Sequence, residues 1–350
     1  MDGDFYVEYG KLDDIQRYII QTLFHRSEVV GGSAGTGKSL IALHKLASVP
    51  LGKTAALVVF SKSLKKYFED GMRVLDIPDA TVYYKQQWEN WRRRVDYLFV
   101  DECQDFTAEE IGQFIGDCEK VFFFGDTSQT IMDFDGTVKQ TVEDTAKMVG
   151  VPVEYLRVNY RLTKENALLA EYVGKRNDLV RYCKRNGVKP QLIEGATVNE
   201  QLDAIIDTIK SNNLTRACIL VPYNTPARAG SSPNKDVKLS IDYVCDYFVN
   251  HGMPVELKKN SYNGNMMTLD FNSSVPKVIS WHSVKGLQFN DVFIPFCEKQ
   301  YDDVMKKALY VAITRAYNRL YIGYTGQPNT DIFPPIGSDV YAGEIKIDEI

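Results

Sequence analysis

The ten residues GGSAGTGKSL, from Gly31 to Leu40, decide how this chain is interpreted. Residues Gly32 to Ser39 fit the pattern G-x-x-x-x-G-K-[ST], whose glycines let backbone N–H groups converge on phosphate oxygens. A β-branched run leads in and the helix-favouring run SLIALHKLA leads out, as such a loop requires. The predicted phosphate cradle comprises Gly32, Ser33, Ala34, Gly35, Thr36, Gly37, Lys38 and Ser39. Lys38 is expected to reach the β- and γ-phosphates of a nucleotide, and the Ser39 hydroxyl to bind Mg²⁺.

A second motif, VDECQDF at residues 100–106, supplies the acidic groups that nucleotide hydrolysis needs. Asp101 and Glu102 end a strongly apolar run, where two adjacent carboxylates repel each other unless a cation or a proton lies between them. Asp101 is a candidate for holding the metal through water, and Glu102 for orienting and deprotonating the attacking water. Taken alone, the pair is also explained as the solvated end of a strand.

The composition is typical of a globular protein. Apolar residues make up 44% and charged residues 25% of the 350 residues, and the longest apolar runs are too short to span a bilayer. The N-terminus MDGDFYVEYG lacks the basic start and apolar core of a secretion signal. Six scattered cysteines without a CxxC pair argue against a disulfide framework or a zinc site. We expect a cytoplasmic protein without a membrane partner.

Short β-branched or aromatic runs alternate with longer amphipathic stretches, which predicts α/β layers around mainly parallel sheets. The predicted strands lie at 27–32, 55–60, 97–102, 120–126, 153–158, 217–222, 277–282, 291–296 and 319–324. The predicted helices include 40–48, 166–176, 199–211, 241–251 and 305–316. A boundary near Gly150–Pro152 divides these elements into two α/β halves. The stretch 224–236, rich in Pro, Gly, Ser and Asn, is predicted to be an exposed loop.

Further stretches resemble superfamily 1 helicases of the UvrD/Rep type, in the order in which that family carries them. LDDIQRYI resembles the adenine-reading Q motif, with Gln16 as the reader, although a lone glutamine on a helix is otherwise a surface residue. VDECQD contains the family's D-E-x-Q, which implies that Gln104 contacts the γ-phosphate. FGDTSQTI resembles the third motif, which implies that Gln129 links the nucleotide state to the strand-binding surface.

The second half of the chain carries two arginines at positions where the family has functional arginines. VNYRL at 158–162 resembles the fourth motif, which implies that Tyr160 stacks on the base and Arg161 touches the γ-phosphate. LYVAITRA at 309–316 resembles the sixth motif, and Arg315 falls where the family places an arginine finger. Singly, each arginine is also explained as a solvated face or a salt bridge. With these matches the predicted catalytic residues are Lys38, Glu102, Arg161 and Arg315.

WHSVKGLQFNDV at 281–292 resembles the fifth motif, with Lys285 and Gly286 at its centre. The resemblance implies that Gly286 and Gln288 belong to the nucleotide site and that His282 contacts nucleic acid. The family commonly has Glu where this chain has Gln288. Contact with a ribose hydroxyl survives that change, because an amide oxygen also accepts hydrogen bonds.

The resemblance implies two tandem RecA-like P-loop NTPase domains, residues 1–150 and 151–350, with mainly parallel sheets and flanking helices. The cradle lies in the first half of the chain and both arginines lie in the second. ATP and Mg²⁺ are therefore expected in a cleft between the halves, where cyclic closure would become a motor stroke if each half also held a polymer.

Single-strand motors stack bases on aromatic rings and neutralise phosphates with lysines. Phe60 falls where the family's motif Ia has a base-stacking phenylalanine, and Phe134 where the third motif's extension has a tryptophan. Lys62, Lys65 and Lys66 follow Phe60 closely enough to meet phosphates. Both rings are also explained as packing residues, since Phe60 ends a predicted strand.

Several positions depart from the family's pattern. Residues 132–136 read MDFDG, where the family has an aromatic residue followed by Arg-Trp-Arg-Gly, so one ring is lost and two basic positions are acidic. Leu40 replaces the arginine often found after the cradle. The spans from Phe60 to Asp101 and from Arg161 to Lys285 are too short for the large duplex-engaging inserts of full-length members, which puts strand separation in doubt.

Two functions remain open from the sequence. One is an ATP-dependent translocase or helicase on single-stranded DNA, moving 3′ to 5′ by the family's polarity, with RNA as the other candidate polymer. The other is an ATP-gated regulatory or scaffolding subunit of a multiprotein DNA-processing or defence complex, with a weak grip on nucleic acid. The net charge of −5 favours the second, and in both cases we expect a protein partner.

Overall fold

The computed structural model describes residues 7–22, 24–77, 81–91, 93–126, 140–261, 264–271 and 273–342. It divides the chain into two compact units, Met1–Tyr160 and Arg161–Ile350. The division falls after the predicted boundary near Gly150 because the strand at 153–158, which the sequence assigned to the second half, belongs to the sheet of the first unit.

The described part of the first unit is a parallel sheet flanked by helices. Its strands are β1 (Glu28–Gly32), β2 (Ala55–Val59), β3 (Thr81–Tyr84), β4 (Val95–Val100), β5 (Cys118–Gly125) and β6 (Val153–Leu156). They lie in the order β3-β2-β4-β5-β1-β6, and every pairing is parallel. The helices are α1 (Asp14–Gln21), α2 (Lys38–Ala47), α3 (Lys62–Val74), α4 (Lys85–Trp91), α5 (Ala108–Gly116) and α6 (Val142–Val149).

The central strands of this sheet are continuous apolar runs. Helices cover both faces of a parallel sheet, so a central strand buries every side chain rather than alternate ones. In β5 all residues from Val121 to Gly125 are buried, and in β4 the last four residues are buried as well. Because β4, β5 and β1 are parallel neighbours, their carboxyl ends lie side by side at one end of the sheet. Ligands of such sheets usually bind at this end.

A buried ion pair holds helix α1 against helix α2. Lys45 of α2 is fully buried, and its ammonium donates to Ile19 O at 2.8 Å, Thr22 O at 3.0 Å and Thr22 Oγ1 at 2.8 Å. Its Nζ also lies 3.3 Å from Glu28 Oε2, a buried carboxylate of β1. Burial lowers the pKa of Lys45, and Glu28 acts against that shift. The last turn of α1 is thus tied to the helix that follows the cradle.

The described part of the second unit contains a larger sheet and a short ribbon. The ribbon is β7 (Asn159–Thr163) with β8 (Cys183–Arg185), and β7 crosses the division, so that Asn159 and Tyr160 belong to the first unit. The sheet strands are β9 (Gln191–Glu194), β10 (Ala217–Val221), β11 (Glu256–Ser261), β12 (Gly264–Met267), β13 (Lys277–Ser280), β14 (Phe289–Ile294) and β15 (Ala316–Tyr324). They lie in the order β12-β11-β13-β10-β14-β15-β9, parallel except for the β11–β12 hairpin. The helices are α7 (Lys164–Gly174), α8 (Val198–Ser211), α9 (Pro226–Gly230), α10 (Ile241–Asn250) and α11 (Asp303–Ile313).

Two mainly parallel sheets flanked by helices confirm the predicted α/β fold class. The predicted exposed loop at 224–236 is wrong in part, because it contains helix α9. Thr225 caps that helix through Arg228 N, and Pro226 occupies its first position, both recognised helix-start signals. Ala229 and Ser232 are buried. Among the described residues, no helix is both long and apolar enough to cross a bilayer.

The Lys45–Glu28 pair makes a testable contribution to stability. Lys45→Met should lower the free energy of unfolding by about 3–5 kcal/mol, because it leaves a buried carboxylate without its cation. The double variant Lys45→Met/Glu28→Gln should recover part of that loss, and Lys147→Met, at an exposed pair with Asp144, should change little. Urea unfolding measures all three. A Lys45→Met protein as stable as Lys147→Met would contradict this role.

Candidate nucleotide site

The cradle predicted from the sequence joins strand β1 to helix α2. Gly35 and Gly37 have φ values of 84° and 89°, in the left-handed region that costs a side-chain-bearing residue energy. Gly37 is also crowded, since a Cβ there would lie 2.6 Å from Gln16 Nε2. The backbone path therefore requires both glycines, and the close approach of helix α1 is a second requirement at Gly37.

Two side chains from within the cradle satisfy its first carbonyl groups. Lys38 Nζ donates to Gly32 O at 2.7 Å and to Ser33 O at 3.1 Å. Thr36 Oγ1 also donates to Ser33 O, at 3.0 Å. Lys38 is buried, so its ammonium is held against the loop.

The next two carbonyl groups accept from residues far along the chain. Asn159 Nδ2 donates to Ala34 O at 2.7 Å, and Tyr160 N donates to Gly35 O at 2.9 Å. Both donors open the VNYRL stretch that the sequence assigned to base stacking and γ-phosphate contact. The start of that stretch also supports the backbone of the cradle.

Helix α1 satisfies the fifth carbonyl group. Gln16 Nε2 donates to Thr36 O at 3.1 Å, while Gln16 Oε1 accepts from Asp13 N at 3.1 Å. The Tyr160 hydroxyl donates to Asp13 Oδ2, and burial, and secondly this contact, raise the pKa of Tyr160. Gln16 and Tyr160, predicted to read and stack on adenine, thus lie beside the cradle, and their contact with a base stays a prediction.

The carbonyl groups from Gly32 to Thr36 therefore all accept hydrogen bonds. Because N–H and C=O groups project in different directions, this arrangement commits the carbonyls to protein and leaves the N–H groups of the loop as donors for a ligand. The first turn of α2 adds N–H groups that have no partner within the helix, at its positive end. The loop is shaped to receive an anion.

Two carboxylates, those of Asp101 and Glu102, follow strand β4 at the carboxyl end of the sheet. Asp101 Oδ2 accepts from Ser39 Oγ at 2.6 Å, and Asp101 Oδ1 accepts from Glu102 N at 2.9 Å. Asp101 is fully buried. Burial, and secondly the charge of Glu102, raise the pKa of Asp101 to about 7, against the opposing effects of Ser39 and Lys38. A cation bound beside Asp101 would oppose this shift, because it stabilises the ionised carboxylate.

Glu102 is held in place by Gln104. Gln104 Nε2 donates to Glu102 Oε2 at 2.6 Å, and Gln104 Oε1 accepts from Asp126 N at 2.9 Å. Glu102 has a φ of 56°, an uncommon backbone state for a residue with a side chain. A Cβ at Gly125 would lie 2.7 Å from Gln104 Oε1, so the end of β5 must be glycine for this amide to fit.

The oxygen atoms at this edge suit Mg²⁺. No group of three or more His, Cys, Asp or Glu side chains able to hold a metal occurs in the described parts of the chain. Mg²⁺ does not need one, since it keeps several waters and takes one or two protein oxygens plus phosphates. Ser39 Oγ and Asp101 Oδ2 are the pair that fits this requirement.

In the second unit, a hydrogen bond links the fourth motif to the fifth. Arg161 Nε donates to Gln288 Oε1 at 2.7 Å, and Arg185 Nη1 donates to Arg161 O at 2.7 Å. Gln288, predicted to contact ribose, thus fixes the arginine predicted to contact the γ-phosphate. Gly286 has a φ of 81° in the turn that precedes Gln288 and β14, which explains why the motif has glycine there.

Arg315 is buried rather than projecting from the surface. Its guanidinium donates to Val311 O at 2.9 Å, Leu287 O at 3.3 Å and Thr314 Oγ1 at 3.0 Å. The bond to Leu287 O ties the sixth motif to the centre of the fifth. Its role as an arginine finger stays a prediction.

The predicted nucleic-acid contacts are only partly available. Phe60 is half-buried and packs edge-on against Phe106 at a centroid distance of 5.6 Å. Lys62 is exposed, with its Nζ 5.1 Å from the centre of the Tyr84 ring. Lys65 and Lys66, predicted to neutralise phosphates, are paired with the carboxylates of the next turn, Glu69 and Asp70.

His282 offers no positive charge at neutral pH. Burial, and secondly Arg228, lower its pKa to about 4, and its Nε2 lies 3.2 Å from Met305 Sδ. Its predicted contact with nucleic acid would therefore be made by a neutral ring. Gln129 and Phe134 lie outside the described residues.

Two residues of the cradle's support were missed from the sequence. Asn159 carries no motif signal beyond its place before Tyr160. Asp13 did carry one, because Asp followed three residues later by Gln is a helix N-terminal capping box, which α1 forms.

Comparison with known proteins agrees with the motifs. Residues 277–322 match the UvrD-like helicase C-terminal domain family. The chain is similar to PRRSV helicase with a TM-score of 0.50 at 13% identity, over 92% of this chain and 58% of that one. Arterivirus nonstructural protein 10 (helicase), in complex with DNA, gives 0.46 at 14% identity, over 91% and 64%. The C-terminal domain of a possible DNA helicase from Lactobacillus plantarum WCFS1 gives 0.38 at 15%, over 53% and 99%. No curated protein matches the chain by sequence.

These findings confirm the resemblance to superfamily 1 helicases. The family match contains the fifth and sixth motifs, and PRRSV helicase shares the fold. The chain spans 58% of PRRSV helicase and 64% of the arterivirus helicase, so it corresponds to part of each.

The raised pKa of Asp101 predicts a pH dependence of stability. Because the folded protein favours the protonated carboxyl, this group's contribution is present at low pH and is lost as the pH rises through about 7. The free energy of unfolding without metal should fall between about pH 4, where the carboxyl of the unfolded chain titrates, and about pH 7, where that of the folded protein does, and Asp101→Asn should remove that fall. Urea unfolding with a chelator measures it. Asp144→Asn is the exposed control and should keep the wild-type dependence; Asp101→Asn doing the same would refute the assignment.

Proposed function

We propose that this chain, whose residues 277–322 match the UvrD-like helicase C-terminal domain family, is an ATP-dependent translocase or helicase on single-stranded DNA. The observation that carries the proposal is the cradle, with its carbonyls from Gly32 to Thr36 all occupied and Ser39 bonded to Asp101. The N–H groups of this loop suit an anion, and the neighbouring oxygen pair suits Mg²⁺. Together they fit a nucleoside triphosphate with its metal ion.

Hydrolysis of ATP at this site needs positioning and charge rather than covalent help. Glu102, oriented by Gln104, is the proposed base that aligns and deprotonates the attacking water. Lys38 contributes positive charge at the β- and γ-phosphates. Mg²⁺, held by Ser39 and Asp101, would supply further charge neutralisation at the phosphates.

The second unit supplies the proposed switch. Arg161 and Arg315 are the groups that would stabilise charge at the γ-phosphate during turnover, and each is oriented by a contact to the fifth motif. Loss of the γ-phosphate would remove their anionic partner. Alternating engagement of this kind can move a polymer when both units bind it, and the 3′-to-5′ direction follows the family's polarity.

The proposed strand contact is Phe60 with Lys62. A ring partly open to solvent, followed two residues later by an exposed ammonium, would combine stacking with phosphate neutralisation. Single-stranded DNA is the proposed polymer, and RNA is the alternative that the same contacts would accept.

One observation favours the second function, an ATP-gated regulatory or scaffolding subunit. Lys65 and Lys66 are paired with Glu69 and Asp70, so the helix after Phe60 presents less free positive charge than its sequence indicates. A weak grip on nucleic acid would make a protein partner the receiver of the ATP-driven change. The two functions differ in what stimulates turnover.

ATP turnover with and without oligo-dT tests the proposal. We expect Mg²⁺-dependent hydrolysis that oligo-dT stimulates by about tenfold or more, and Glu102→Gln should bind ATP but abolish turnover. Glutamine is a close control because its amide oxygen can still accept from Gln104 Nε2. Turnover that is unchanged by oligo-dT and oligo-U but rises with a co-purifying protein would support the regulatory-subunit function instead. Normal turnover by Glu102→Gln would show that Glu102 is not the base.

Arg315 provides a second test. Arg315→Ala should lower kcat by about 10³-fold if its guanidinium stabilises the transition state. Because Arg315 is buried, unfolding midpoints and the KM for ATP must be measured beside kcat. Arg315→Lys, which keeps a cation and part of the hydrogen bonding, is the matched variant. A kcat within about twofold of wild type for Arg315→Ala would exclude the finger role.

A further inference from the structure

Asn159 is a buried residue that the nucleotide motifs leave without a role. It opens strand β7, its side chain is fully buried, and its Nδ2 donates to Ala34 O at 2.7 Å. The two residues are 125 positions apart in the chain. A short, buried amide–carbonyl bond over that separation fixes the backbone of the cradle from outside the cradle.

The bond determines which way one peptide of the loop faces. The carbonyl of Ala34 and the N–H of Gly35 belong to the same planar peptide, so they point to opposite sides. Holding the carbonyl on Asn159 turns that N–H away from Asn159. A carbonyl released from this bond would be a buried acceptor in need of a partner, and rotation of the peptide would then place it where phosphate oxygens are expected.

The neighbouring residue repeats the arrangement on the next peptide. Tyr160 N donates to Gly35 O at 2.9 Å, which orients the peptide that carries the N–H of Thr36. Two consecutive donors at the start of β7 thus orient two consecutive peptides of the cradle. Asn159 is the one of the two whose donor is a side chain and can be removed by substitution.

We propose that Asn159 is a positioning residue for nucleotide phosphates. It acts through the peptide between Ala34 and Gly35 and does not itself touch the ligand. The inference rests on the proposed function, because it requires that the cradle bind a nucleotide.

Equilibrium binding of Mg·ADP, measured by calorimetry, tests the proposal without relying on turnover. Asn159→Ala should weaken Mg·ADP binding by about tenfold, the effect of one well-made hydrogen bond. Asn166→Ala is the matched control, because Asn166 is equally buried and its Nδ2 donates to a backbone carbonyl, that of Asn318, at 3.1 Å. Both variants should lose stability, but only Asn159→Ala should lose affinity.

Asn159→Asp provides a variant that keeps the shape of the side chain. Its carboxylate cannot donate and would face the Ala34 carbonyl, so it should weaken Mg·ADP binding by about a hundredfold or more. Affinity in Asn159→Ala and Asn159→Asp equal to that of Asn166→Ala would overturn the positioning role. If the wild-type protein binds neither Mg·ADP nor Mg·ATP, the proposed function fails together with this inference, whereas wild-type binding with unaffected variants refutes the inference alone.

Discussion

Five consecutive carbonyl groups, from Gly32 to Thr36, accept hydrogen bonds from Lys38, Thr36, Asn159, Tyr160 and Gln16. A glycine-rich loop is flexible by composition, and without these bonds its peptides could turn either face toward a ligand. The donors come from three places: the loop itself, helix α1 and the start of β7. The anion site therefore depends on the packing of the whole first unit, including the Lys45–Glu28 pair that anchors α1.

The acidic edge of the sheet complements that loop. Asp101 is buried beside Glu102, and its pKa is raised because two carboxylates share a site with little water. A divalent cation would lower that cost, and under the proposed function this favours Mg·nucleotide over free nucleotide. In the second unit, the two arginines predicted to contact phosphate are also oriented by the fifth motif. Arg161 donates to the side chain of Gln288, and Arg315 donates to the carbonyl of Leu287.

The sequence predicted the parts of this arrangement that depend on residue type at fixed spacing. The cradle, the central strands and the longest helices could be predicted because apolar runs, glycines and caps act locally. The placement of β6 could not, because strand pairing over a long stretch of chain leaves no local signal; Val153–Leu156 read equally well as the start of the second half. The supporting role of Asn159 and the paired state of Lys65 and Lys66 also depend on partners that only the fold brings close.

A crystal structure with Mg²⁺ and a non-hydrolysable ATP analogue tests the central claim most directly. The phosphates should accept hydrogen bonds from backbone N–H groups between Ala34 and Ser39, with the metal on Ser39 Oγ and the Ala34 carbonyl still bonded to Asn159. Nucleotide bound elsewhere, or a loop whose carbonyls turn toward the phosphates, would contradict the account.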